Sequence, residues 1–300
     1  MNYKLDAAYT TFSHVVPMLD QVATGFTFTE GPVWRGSDLL FSDINNSRTV
    51  RYQPLPEGPA ISTFRTPSGN ANGLTLDHEG RLLACEHSGR RVSRIDARGK
   101  VETIADNFEG KRLNSPNDIV VRSDGAIFFT DPPYGLPYHT EGKELPYNGV
   151  YRVDRDGKIN LLVDDFERPN GLAFSPDESH LYVDDSQLGH IRRFDVAADG
   201  SISGGRVWAE LRAGPGEGGV PDGMKIDREG RVYCTGPAGV WIFEPGGRFI
   251  GRILTPEVPA NLAWGDSDWS TLYITAHSSV YRLRMNVPGI PVGKAARRAP

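Results

Sequence analysis

The chain has 300 residues, 34 of them Gly and 22 Pro, and a net charge of −5; this suits many short strands joined by turns, with few helices. No basic stripe or Lys/Arg run is present, which argues against nucleic acid as a partner. No apolar run is long enough to span a bilayer, and MNYKLDAAYT lacks a charged-then-apolar leader pattern, so the expected compartment is cytoplasmic.

Taken in order, residues 1–15 read as a peripheral leader. MLDQVATG follows, an apolar–polar stretch with no repeat of its own. Six copies of one pattern then open at Glu30, Asn72, Asn117, Asn170, Asp222 and Asn261. They read EGPVWRGSDLLFSDI, NGLTLDHEGRLLACEH, NDIVVRSDGAIFFTD, NGLAFSPDESHLYVDD, DGMKIDREGRVYCTG and NLAWGDSDWSTLYITA. Each is an apolar stretch, a turn and a second apolar stretch ending in polar residues. Successive openings lie 42, 45, 53, 52 and 39 residues apart, the period of a β-propeller blade.

Behind each copy runs a strand of alternating pattern, TVRYQP, RVSRID, GVYRVD, HIRRFD, GVWIFE and SVYRLR. A fourth element, such as INLLVDDF or RVWAELR, follows most of them. The predicted fold is all-β: one six-bladed propeller over residues 1–300, four strands per blade. The last copy lacks an outer strand, so MLDQVATG is expected to supply it and close the ring. Residues 287–300 read as a peripheral tail. Cys85 and Cys234 fall in blades on opposite sides of the ring, too far apart for a disulfide. Two cysteines also exclude a paired-Cys metal site.

If every opening residue starts an innermost strand, six oxygen-bearing side chains converge on one end of the channel. Return strands end on that same face, bringing Asp43, Glu86, His87, Asp131, Asp185 and His277. Oxygen donors of this kind suit a hard divalent cation, and calcium first. No HExxH or Cys–His spacing supports zinc. The long connection DPPYGLPYHTEGKELPYN also emerges there and is expected to form a rim through Asp131, Tyr134, Tyr138 and His139. No GxSxG, GxGxxG or P-loop spacing occurs.

EGPVW, SPND, DPPYG, RPNGLAFSPD and PDGMKID resemble, in this order, the motifs of the regucalcin/gluconolactonase family of six-bladed propeller hydrolases. The resemblance covers roughly residues 20–285. It implies a divalent metal at the channel mouth, usually calcium, with magnesium, manganese, zinc or iron as alternatives, and hydrolysis of a small lactone. It further implies that Glu30, Asn117, Asn170 and Asp222 ligate the metal. Asp222 is expected to double as general base, or in a minority version as nucleophile. Asn72, His87, Asp131 and Tyr134 are expected to contact substrate.

Two positions depart from the family. Ser115 stands where animal gluconolactonases carry a sugar-holding Arg. Lys225 stands where diisopropylfluorophosphatase has an acid for a second calcium, so one metal is expected. Competing readings are a phosphotriesterase or fluorophosphatase, and a binding propeller without chemistry. A monomer acting on a small molecule is the expected working form.

Overall fold

The computed structural model describes residues 19–294 and the backbone of residues 3–5; residues 1–2, 6–18 and 295–300, most of the expected leader and part of the tail, lie outside the described residues. Six antiparallel sheets stand around a central axis, each running from an inner strand outward. The inner strands are Thr29–Trp34, Ala71–Leu76, Ile119–Val121, Pro169–Phe174, Met224–Ile226 and Pro259–Gly265. They are short, and almost every residue in them is buried.

The ring closes as the strand count requires. Asp20–Thr24 pairs antiparallel with Ser279–Arg284 as the outer strand of the last blade, and Gln21 Nε2 donates to Ser279 Oγ at 2.9 Å. Covering that edge removes an open ladder of N–H and C=O groups. The fifth blade gains one more strand, Tyr3–Leu5, antiparallel to Phe249–Leu254.

Core packing lies between the sheets, face to face. Aromatic pairs bridge neighbouring blades: Trp34 stacks on Tyr273 at 5.6 Å, Phe128 meets Phe174 edge-on at 4.9 Å, and Tyr233 meets Trp264 at 5.3 Å. Both cysteines are buried and free.

Hydroxyls stitch adjacent blades near the axis. Ser42 and Thr130 Oγ donate to the carbonyls of Asn72 and Asn170 in the next blade, and Thr235 Oγ1 to that of Ala260. Each contributes on the order of 1 kcal/mol. The opposite end of the channel widens into a cavity of ≈ 500 Å³ lined by Trp34, Leu76, Phe174, Ile226 and Trp264. Residues 287–294 cross this back end. Gly289 N donates to Trp269 O and Arg228 N to Pro288 O, both at 2.9 Å, so this part of the tail is built into the ring.

Candidate functional site at the channel mouth

Four of the six opening residues lie at the same irregularity. In four blades the ladder slips by one residue at or just beyond the opener, as between Glu30 and Val33 or Ala71 and Leu74. Such a bulge bends the strand and re-aims a side chain. The next residue is Gly in four blades, because inner strands nearly touch. A Cβ on Gly31 would lie 2.0 Å from Asn72 O, and one on Gly171 would lie 2.0 Å from Asp222 O.

Four of the openers form one hydrogen-bonded segment of the ring, and the other two a pair. Asn72 Nδ2 donates to Asn117 Oδ1, and Asn117 Nδ2 to Asn170 Oδ1. Asn170 Nδ2 donates to Ser186 Oγ at 3.0 Å, and its amide also bonds the Asp222 carboxylate. Across the channel Asn261 Nδ2 donates to Glu30 Oε2 at 3.0 Å. Five openers are buried, and Asp222 alone keeps partial exposure. It is the group that solvent or a ligand can reach.

Charge is concentrated here. Burial, reinforced by Asp118, pushes Glu30 up to about 7. Burial and then the charges of Glu30, Asp184 and Asp118 push Asp222 well above the usual carboxylate range. Buried like charges disfavour ionisation unless a cation compensates.

The two carboxylates and two amide oxygens of Glu30, Asp222, Asn117 and Asn170 are the donor chemistry of a hard divalent ion. The chain therefore fits such an ion by donor type and by its uncompensated charge. Among the described residues, no group of three His, Cys, Asp or Glu side chains gathers in metal-holding geometry; half of this donor set is amide.

His87 lies beside the ring, its Nε2 3.1 Å from Asn117 Oδ1 and 3.3 Å from Asn72 Nδ2. Burial pushes it down to about 4, so the ring is neutral near pH 7.

Tyr134 also reaches the mouth. Its hydroxyl is hydrogen-bonded to Ser186, and burial, followed by the charge of Asp222 among the raising influences, pushes it up to about 12. Asp131 does not reach it: fully buried, its carboxylate accepts from the backbone N–H of Asn114 at 2.7 Å and Ser115 at 2.8 Å. Those bonds fix the turn ahead of Asn117 and leave nothing for a substrate. Ser115 Oγ is likewise committed, donating to Pro132 O and accepting from Gly135 N.

Three residues were missed in the sequence. Asp118 stands where four other blades place a glycine after the opener; it is buried, and Lys225 Nζ lies 3.7 Å from its Oδ2. Lys225 thus points into the channel, where it also donates to Met224 O at 2.9 Å and Asn261 Oδ1 at 3.3 Å. Asp184 replaces the small residue (Ser42, Cys85, Thr130, Thr235, Thr275) at the penultimate position of the return strand. It is fully buried, and its Oδ1 has no partner among the described residues. Burial, then the charges of Asp118 and Asp185, push it well above the usual range. Ser186 carries the link from Asn170 to Pro221 O. The first two are legible as breaks in an otherwise repeated position; Ser186 has no such signal.

Residues 28–278 match the family model described as the SMP-30/Gluconolactonase/LRE-like region. A gluconolactonase of Zymomonas mobilis is 34% identical over 296 aligned positions, covering 90% of this chain and 82% of that protein. A 6-deoxy-6-sulfogluconolactonase of Pseudomonas putida is 28% identical, covering 87% and 92%. The solved structure of a gluconolactonase from Xanthomonas campestris superposes with a TM-score of 0.86 at 32% identity, covering 95% of each chain.

Proposed function

The chain belongs to the SMP-30/gluconolactonase/LRE-like family, and from that premise we propose that it opens a sugar lactone at the channel mouth. It is a lactone-hydrolysing enzyme, a carboxylic-ester hydrolase. In our reading Glu30, Asn117, Asn170 and Asp222 hold one divalent cation, calcium foremost. When bound, that ion supplies positive charge that polarises the ester carbonyl.

The rest is done by side chains. Asp222, the one partly exposed opener, takes a proton from the attacking water. As the ring C–O bond breaks, that proton passes to the departing ring oxygen, and the product is a hydroxy acid. The hydrogen bond from the Asn170 amide fixes the carboxylate for this transfer. Neutral His87 and Asn72 offer hydrogen bonds to substrate hydroxyls. A closed ring with covered edges favours a monomer.

The observation that carries this reading is the convergence of two crowded carboxylates with two amide oxygens around a reachable Asp222. Asp222→Asn keeps an oxygen donor and removes the base. Turnover of glucono-, xylono- and galactonolactone is expected to fall by at least ~10³-fold, within the range of general-base and nucleophile losses, with the thermal transition retained. Undiminished turnover in this variant would remove Asp222 from the role.

A further inference from the structure

The residue two places before each opener forms a second tier around the mouth: Phe28, Asn70, Ser115, Arg168, Val220 and Pro259. Only Arg168 is charged. Its backbone is anchored, with N–H donating to Asp185 Oδ1 at 3.3 Å and carbonyl accepting from Ser186 N at 3.0 Å. Its guanidinium lies 5.3 Å from the centre of the Tyr134 ring, the same Tyr134 whose hydroxyl bonds Ser186 beside Asp222.

No carboxylate among the described residues forms an ion pair with Arg168. The nearby acid, Asp185, is taken up by the backbone N–H groups of Glu167, Arg168, Gln187 and Leu188. The other polar members of the tier are committed as well: Asn70 Nδ2 donates to Ile44 O, and Ser115 Oγ to Pro132 O. A guanidinium held over an aromatic face keeps N–H donors that can match an oxyanion bidentately.

Resting on the lactonase reading, we propose that Arg168 is a specificity-determining residue. It selects lactones that carry an anionic group at the end remote from the ester, such as a phosphate or sulfonate. The ester sits over Asp222, and the charged end reaches past Tyr134 to the tier outside the ligand ring.

The test is steady-state kinetics on D-glucono-1,5-lactone, its 6-phosphate and its 6-deoxy-6-sulfo analogue, with wild type, Arg168→Gln and Arg168→Lys. Wild type is expected to favour an anionic lactone at least about tenfold in kcat/KM, carried by KM, the scale of one charge-assisted contact. Arg168→Gln is expected to collapse that ratio towards one, with Arg168→Lys between. A preference for only one of the two charged lactones identifies the oxyanion. Equal kcat/KM for neutral and charged lactones in wild type overturns the proposal. So does an Arg168→Gln loss that is the same on both, which marks the residue as a prop for Tyr134. Calorimetry of 6-phosphogluconate against gluconate reads the site without turnover. Arg168-dependent preference for 6-phosphogluconate in a protein that opens no lactone keeps the anion site and discards the lactonase reading.

Discussion

At Asp184 a carboxyl stands where five other blades place Ser, Thr or Cys, and its Oδ1 has no partner among the described residues. Its folded pKa is raised, so in the metal-free protein it binds its proton more tightly folded than unfolded. The stability this contributes is full below its ordinary value near 3.8 and is lost as pH rises. Asp184→Thr is therefore expected to raise the melting temperature more at pH 8 than at pH 4. A Thr there can donate to Asp222 O, as Thr130 does to Asn170 O. Turnover is expected to fall, because the charge behind Asp222 is gone. Calorimetric melts at the two pH values check this; equal shifts would contradict it. Glu30 gives a second titration. With its carboxyl raised to about 7, a cation must displace a proton below that pH. Calcium affinity is expected to weaken as pH falls below 7 and to release protons on binding, measurable by calorimetry in two buffers of different ionisation enthalpy. The openers were legible because each stands at the same place in a repeat. Asp118 and Asp184 are legible only as breaks in the repeat, since a polar residue inside a strand looks unexceptional until its five counterparts are set beside it.

At the scale of the element, the inner strand is where blades approach most closely. Gly171 is constrained by contact, not by turn geometry: a Cβ would meet Asp222 O at 2.0 Å, Asp184 Oδ2 at 2.7 Å and Met224 N at 2.9 Å. Two of the three are backbone and cannot rotate away. Gly171→Ala is expected to destabilise by roughly 3 kcal/mol, at or above the upper range for overpacking. A denaturant midpoint unchanged from wild type would show that the blades can part. The four-strand blade and the closing strand Asp20–Thr24 were readable from alternation and strand count. The one-residue slips at the openers were not, because they leave the hydrophobic pattern intact while turning a side chain to the axis. Nor was the pairing of Tyr3–Leu5 with the fifth blade: three residues carry no periodicity, and an edge pairing is fixed by backbone hydrogen bonds. The rim loop was legible by length. That Asp131 serves its backbone instead of the mouth depended on how the turn at Asn114 and Ser115 folds back.

For the whole molecule, the ring gathers six strand starts at one end and leaves aromatic and aliphatic strand ends at the other. Between them, Lys225 and Asp118 form a charged layer across the channel, with Asn261 linking both to Glu30. The tethered ammonium lies behind the mouth in place of a second ion, which leaves one cation per chain. Six-fold architecture was fully readable from the repeat period. The placement of Lys225's charge inside it needed the sheets assembled, because strand alternation alone leaves open which side faces the axis. The most direct test is titration of metal-stripped protein with calcium, following initial rates of lactone opening corrected for the spontaneous reaction. Saturating recovery of rate at one equivalent of calcium, absent in Asp222→Asn, is the predicted result. Full activity without added metal, or recovery that requires two equivalents, would contradict a single cation held by Glu30, Asn117, Asn170 and Asp222.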